Sequence, residues 1–395
     1  MSGARSASHV GAPYVERTVP FATPDGVGGN VINVRGASPP TRAPVLLVHG
    51  AGVRANIFRA PVATTLVDYL VARGHDVWLE NWRASIDLPP NEWTLDKAAV
   101  YDHPAAVQTV VRETGCPEIN AVIHCQGSTS FMMSAVAGLV PEVRTIVTNA
   151  VALHPVVPAF SRVKLNAAVP FVGLFTPYVS PRWGIEAPTL TAKALTALVK
   201  LTHHECDNTV CRWVSFTYGS GFPALWRHEN LSAATHEWLK GEFADVPISF
   251  FRQMARCVRH GSLVSVDGFS ELPADFAAQP PETDARFALF AGALNRCFLP
   301  ESQARTHAFL DTARPGYHTF HVLPTYGHLD VFMGENAAHD VFPLMAAELE
   351  RAPEPRRGGV TPVTTPVTTP VTAPVAVPNA TLSPPEKAPA PGAIS

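Results

Sequence analysis

Apolar residues in this chain come in short unbroken runs separated by longer stretches of helical spacing, and that alternation predicts its layers. Pro44-Val-Leu-Leu-Val-His49-Gly50 is a continuous apolar run of the buried-strand type. A helix-like stretch from Pro61 to Arg73 follows, then a strand from His75 to Leu79 and a helix from Lys97 to Thr114. Next come a strand from Glu118 to His124, a helix from Gly127 to Leu139 and a strand from Arg144 to Ala150. Strand, helix and strand in succession require crossovers, so the sheet they build is mostly parallel with helices on its flanks. Ahead of it, Val15 to Ala22 and Gly29 to Val34 flank the turn-rich Thr23-Pro-Asp-Gly-Val-Gly28 and read as an entry hairpin.

From Leu153 to about Gly261 the texture changes. Pro, Phe, Trp and Leu are frequent there, helical spacing dominates and no parallel strand is legible, which predicts an inserted helical cap. Strand character returns at Arg286 to Gly292 and at Tyr317 to Leu323, and a last helix runs from about Ala337 to Glu350. Beyond Arg351 the chain falls into Thr-Pro-Val-Thr repeats starting at Thr361, Thr365 and Thr369, too poor in apolar bulk to order themselves and expected to be disordered and extended. The expected organisation is a flexible terminus over 1–13, a core in two parts (14–152 and 262–350), a cap over 153–261 and a tail over 351–395.

With 395 residues and 46% hydrophobic content, there is apolar material for one large core or a core with a cap, hence a single catalytic unit. A formal net charge of -3 and a pI near 6.6 leave no basic stripe, which excludes nucleic acid as a partner. No apolar run reaches the length of a membrane span, and Met1 to Pro20 holds no apolar core of a secretory signal. Six cysteines without such a signal read as reduced thiols of a cytoplasmic protein. Gly26-Val-Gly28 lacks the third glycine and the strand-to-helix setting of a dinucleotide fingerprint, so it reads as a turn and no cofactor is expected.

The candidate chemistry centres on Cys125, at the bend where the Glu118–His124 strand runs into the following helix. Such a turn lifts one nucleophile clear of the sheet, and the adjoining helix N-terminus favours negative charge, so the thiol is expected to ionise more easily than a free one. The backbone N–H of Gln126 and that of Ala51, in the turn His49-Gly50-Ala51-Gly52, are the expected oxyanion donors, with His49 buttressing the turn. His328, in Pro324-Thr-Tyr-Gly327-His328-Leu-Asp330, lies just past the last strand, where a general base can reach the nucleophile. Asn295 stands after the preceding strand, where a carboxylate is usual. It can accept a hydrogen bond from the imidazole but cannot stabilise imidazolium by charge; Asp330 is the alternative orienting group, or Asn295 is a turn residue. Ile123 sits two residues before Cys125, where tight packing of strand on helix favours a small side chain, and it counts against a nucleophile-bearing bend there.

Two other clusters carry candidate chemistry. The run His203-His204-Glu-Cys206-Asp-Asn-Thr-Val-Cys211 matches no standard zinc spacing, so no metal is expected and the cysteines read as reduced structural thiols or a local disulfide. Phe171, Phe175, Tyr178, Trp183, Phe222 and Trp226 either line an acyl pocket or form the core of the cap itself.

Taken together, His49-Gly50-Ala-Gly, the stretch Gly74 to Arg83, His124-Cys125-Gln-Gly-Ser, Asn295-Arg-Cys-Phe-Leu-Pro-Glu-Ser and Gly327-His328-Leu-Asp-Val-Phe resemble the α/β-hydrolase module often attached to flavin-dependent GMC oxidoreductases of the cholesterol oxidase kind. The likeness spans roughly Tyr14 to Leu349. More distantly, the chain is similar to polyhydroxyalkanoate synthases, which carry an acid where Asn295 stands. With no flavin domain preceding it, sterol oxidation is not expected. The resemblance implies an α/β-hydrolase fold with an inserted helical cap. The site residues suggest a thiol-dependent acyl hydrolase of the esterase, lipase or thioesterase type acting on a small, lipophilic ester or thioester. Acyl transfer, or a catalytically silent binding protein, are the other readings. No stable membrane insertion is expected, and the sequence names no partner for the tail.

Overall fold

A computed structural model describes residues 14–203 and 206–352, all within one compact unit. The N-terminal segment over 1–13 and the repeat tract lie outside the described residues. The first hairpin pairs β1 (Val15–Phe21) with β2 (Gly29–Arg35) in antiparallel register. Then come β3 (Pro44–Val48), β4 (Asp76–Asn81), β5 (Ile119–His124) and β6 (Val143–Asn149). Between β6 and the next strand of the main sheet the described chain adds helices, turns, an isolated antiparallel bridge between Val264 and Asp275, and a two-residue pair, β7 (Tyr178–Val179) with β8 (Val246–Pro247). The sheet is completed by β9 (Arg286–Gly292) and β10 (Thr319–Leu323).

Its order is β1-β2-β4-β3-β5-β6-β9-β10, with every pair from β4 to β10 parallel. β3, β5 and β9 are buried at every position, as strands covered by helices on both faces must be, whereas β1 is largely exposed at an antiparallel edge. The sequence-expected strands are all present, their ends shifted by at most two residues and those of β9 not at all. One helix starts later than its spacing suggests: Leu66–Ala72, rather than from Pro61. Thr65 and Asp68 form a reciprocal capping box there, Thr65 Oγ accepting from the Asp68 N–H and the Asp68 carboxylate accepting from the Thr65 N–H, which fixes the first turn.

The bend after β5 is tight. Cys125 has φ 56, a left-handed conformation, and its helix runs from Cys125 to Val136, two residues earlier than expected. Close approach is provided by Gly127 rather than at Ile123: a Cβ on Gly127 would lie 2.2 Å from the His49 carbonyl oxygen. Ile123 is fully buried in β5. Beneath the bend, the His103 ring bridges Glu80 of β4 at 2.8 Å and Ser130 of the elbow helix at 2.7 Å. The Trp82 indole N–H donates to the His49 carbonyl at 3.0 Å, tying the turn after β3 to β4. These buried polar contacts hold the two turns that face Cys125.

Candidate active site

Three heteroatom-bearing side chains converge at the carboxyl ends of β5 and β10. One ligand atom each of His124, Cys125 and His328 lies within 4.8 Å of the other two. The backbone N–H groups of Gln126 and Ala51 are directed at the Cys125 thiol, where the sequence places its oxyanion donors. His49 acts through its ring and main chain: Nδ1 lies 2.6 Å from the Gly50 carbonyl oxygen, and the ring packs 5.8 Å from Trp82.

Burial reverses the expectation for the thiol. Enclosure by protein outweighs the two N–H groups and pushes the Cys125 pKa from 9.0 up to about 12. His328 is driven the other way, well below 6.5, by burial and then by the neighbouring His124. The resting pair is therefore a neutral thiol beside a neutral imidazole, not a thiolate–imidazolium pair. The expected consequence is measurable: alkylation of Cys125 by iodoacetamide, followed by peptide mass spectrometry, runs slower than that of a free thiol at pH 8. Its rate keeps climbing above pH 9 instead of levelling there, because the thiolate fraction rises only as pH approaches about 12. Levelling near pH 9 or below contradicts this description.

The side chain that meets His328 Nδ1 is Asn295, not Asp330, and it does so in the opposite sense to that expected. Asn295 Oδ1 accepts from the backbone N–H of Cys297 at 2.9 Å and of Phe298 at 3.1 Å. Its amide nitrogen is thereby turned to His328 Nδ1, 3.1 Å away, and donates to it. An Nδ1 that accepts leaves the ring proton on Nε2, the nitrogen that has no hydrogen-bond partner. The Asp330 carboxylate is used elsewhere: it accepts from the N–H of Gly327, the N–H of Arg227 and the Asn230 amide, bracing the loop that carries His328. Burial holds its pKa up at about 6.

Two neighbours escape sequence reasoning. His124, adjacent to Cys125, has Nδ1 bound to the Asn149 side-chain oxygen at 2.8 Å, and its ring lies 4.8 Å from that of His328. Its pKa is pushed down to about 3 by burial. Tyr218, at the end of the Thr209–Tyr218 helix, has a buried hydroxyl without a hydrogen-bond partner and lines a small cavity of about 20 Å³ together with Cys125, His124 and His328. Nothing in the local sequence marks it, because its helix is brought over the sheet only by tertiary packing.

Tyr218 and Cys297 also line a much larger cavity of about 390 Å³, among the largely helical 153–261 segment. Its walls are apolar and aromatic, including Phe160, Phe171, Phe216, Phe250 and Met254. Lys164 is the charged lining residue, and its ammonium donates to the carbonyls of Phe216 and Gly219. Of the six aromatics singled out from sequence, Phe171 lines this cavity. Trp226 is buried core, Trp183 packs edge-on against Trp213, and Phe175 is 60% exposed.

No protein-family model matches the chain. Against curated proteins it is similar to sterol esterase 2 of Saccharomyces cerevisiae, 28% identical over 135 residues that take in 29% of this chain and 25% of that protein. The chain thus spans about a quarter of the length of the relative it matches. Among solved structures it is similar to an esterase from Exiguobacterium antarcticum (TM-score 0.54, 10% identity, covering 84% of this chain and 99% of that one). A thermophilic esterase from Thermogutta terrifontis (TM-score 0.51, 13% identity, 84% and 99%) and a monoacylglycerol lipase from Paleococcus ferrophilus (TM-score 0.51, 14% identity, 85% and 98%) are similar to the same degree. The strand order, the bend at Cys125 and these likenesses agree: this chain has the α/β-hydrolase fold.

Proposed function

We propose that the protein is a thiol-dependent acyl hydrolase acting on lipophilic esters or thioesters, its acyl chain seated among the 153–261 residues that cap the two halves of the core. The observation that carries this reading is the pair of backbone N–H groups, from Gln126 and Ala51, aimed at the one sulfur presented on the bend. In the reaction Cys125 Sγ bonds to the carbonyl carbon while its proton passes to His328 Nε2. The alkoxide or thiolate leaves with that proton, and water then cleaves the acyl thioester, returning the thiol and releasing a carboxylic acid. For Nε2 to accept, the ring must carry its own proton on Nδ1, which requires Asn295 to turn its oxygen toward the ring and give up two backbone hydrogen bonds. Water is a weaker acid than the thiol and needs this base still more, so turnover is slow and the acyl-enzyme builds up ahead of deacylation.

An apolar cavity of 390 Å³, within the range of small-molecule pockets, supports a lipid-like acyl group. So do the exposed Phe160, Phe171, Leu174 and Phe175 nearby and the sterol esterase likeness. The resemblance to the GMC-associated module and to polyhydroxyalkanoate synthases fits the same acyl chemistry, with an alcohol replacing water as the transferase variant. None of the six cysteines is joined in a disulfide, which suits a reducing cytoplasm. No described helix is long and apolar enough to cross a membrane.

The test is a series of p-nitrophenyl esters from acetate upward. Burying each methylene is worth about 0.8 kcal/mol, so kcat/KM is expected to rise up to about fourfold per carbon until the cavity fills. A flat or falling series contradicts the assignment of the cavity. The silent-binding reading is favoured by one observation, the Asn295 amide donating to Nδ1; it requires that no ester be turned over and that a fatty ligand still bind.

A further inference from the structure

The segment that forms the cap holds a second cluster that plays no part in the proposed reaction. Cys206 lies in the turn before the Thr209–Tyr218 helix, and Cys211 lies in that helix's first turn. His228 comes from the short turn His228–Asn230, and His236 from the helix Ala233–Trp238. The four ligand atoms all lie within 4.8 Å of one another. Cys206 Sγ is 3.5 Å from His236 Nε2, and Cys211 Sγ is 3.3 Å from His228 Nε2; the two rings are 4.8 Å apart at 69°.

These separations are diagnostic. Metal–sulfur bonds of about 2.3 Å and metal–nitrogen bonds of about 2.0–2.1 Å, set at a tetrahedral angle, place sulfur and nitrogen about 3.5 Å apart. We propose that Cys206, Cys211, His228 and His236 form a tetrahedral Cys2His2 site for structural Zn²⁺. Two thiolates and two neutral imidazoles match zinc's preference for mixed sulfur and nitrogen donors and cancel its charge, so the half-buried site is neutral. Binding releases two protons, one from each thiol, and forms two metal–sulfur and two metal–nitrogen bonds. A disulfide between Cys206 and Cys211 would leave both imidazoles facing sulfur with nothing to bind.

Supporting groups are in place around the ligands. The Asn208 N–H points at Cys206 Sγ at 3.4 Å, its side-chain oxygen accepts from the Cys211 N–H at 3.1 Å, and its amide donates to the His236 carbonyl at 2.6 Å. The metal would staple the Thr209–Tyr218 helix, which delivers Tyr218 to the cavity beside Cys125, to the Ala233–Trp238 helix. Sequence spacing missed the site because its two histidines come from beyond the run that carries the cysteines. His203, the nearer candidate, instead packs its ring against Phe216 and Phe222.

The site is tested on the full chain, purified under reducing conditions without a histidine tag, by elemental mass spectrometry and by exchange with cobalt(II). About one zinc per chain is expected, falling more than fivefold in Cys211→Ser and in His236→Ala, and the cobalt form should show the ligand-field and sulfur-to-metal bands of a tetrahedral thiolate complex. Titrating the wild-type thiols with a mercurial should release one zinc for the two sulfurs blocked, which keeps the proposal decidable should a variant fail to fold. A metal-free chain with reduced thiols, a Cys206–Cys211 disulfide, an octahedral cobalt spectrum, or full zinc content in both variants would each overturn it. None of these outcomes depends on esterase activity.

Discussion

Asn295→Asp is expected to raise kcat/KM for activated esters by about 10²-fold or more. The pocket around this residue already suits a carboxylate: the N–H groups of Cys297 and Phe298 satisfy one oxygen, and the other would lie opposite His328 Nδ1. In place of a donor, Nδ1 then meets an acceptor, so the ring proton moves to Nδ1 and Nε2 becomes free to take the thiol proton. In a serine enzyme the reverse exchange, acid to amide, costs about 10⁴ through the wrong tautomer; a thiol, more acidic than a hydroxyl, has less to recover. The pH profile should change with the rate. The imidazole of the native chain, held well below 6.5, imposes no acid limb near neutrality. Beside a carboxylate its pKa rises toward or above the ordinary value of about 6.5, so activity is expected to fall as pH drops through that range and the base becomes protonated. Steady-state rates from pH 5 to 9 check both points. A folded variant with unchanged rate and no acid limb removes Asn295 from the proton path.

Cys125→Ala is expected to abolish turnover, by at least about 10³-fold, while leaving the fold and the affinity for a non-hydrolysable fatty ligand close to those of the native chain. Alanine meets the same left-handed φ of 56 that cysteine already adopts and removes a single sulfur atom, so the loss reports chemistry and not collapse. Cys125→Ser should recover little, since a hydroxyl needs the base more than a thiol does and Asn295 offers the base no charge. Rates with a medium-chain p-nitrophenyl ester and thermal melts of each variant measure this. Substantial hydrolysis by the alanine variant points to another nucleophile.

Much of the architecture was legible in the order of residues because burial leaves a period. β3, β5 and β9 read as unbroken apolar runs since both faces are covered, and the loop carrying His328 followed from its place after the last strand. The convergence of Cys125, His328 and the Gln126 and Ala51 amides was likewise foreseeable from strand order alone.

What could not be read depended on surroundings. A helix N-terminus contributes about 0.3–1 kcal/mol to a nearby anion, less than a tenfold change in an ionisation constant, and enclosure of the Cys125 thiol exceeds that by far. The direction of the Asn295 amide is set by two backbone N–H groups whose aim exists only once the loop after β9 has folded. Asp330, far nearer to His328 in sequence than Asn295 is, is spent on Gly327, Arg227 and Asn230, the last two brought in from the 153–261 segment. The Cys206–Cys211–His228–His236 cluster has the same origin, since donors from separate turns meet only when the helices pack.

The most direct measurement is intact-protein mass spectrometry after brief incubation with a panel of p-nitrophenyl and CoA esters. Native protein is expected to gain the mass of one acyl group, mapped to the Cys125 peptide and absent in Cys125→Ala, and Asn295→Asp should gain it faster. An ester hydrolysed without any such adduct even at the earliest times, or an adduct that survives in Cys125→Ala, would contradict the assignment of Cys125 as nucleophile.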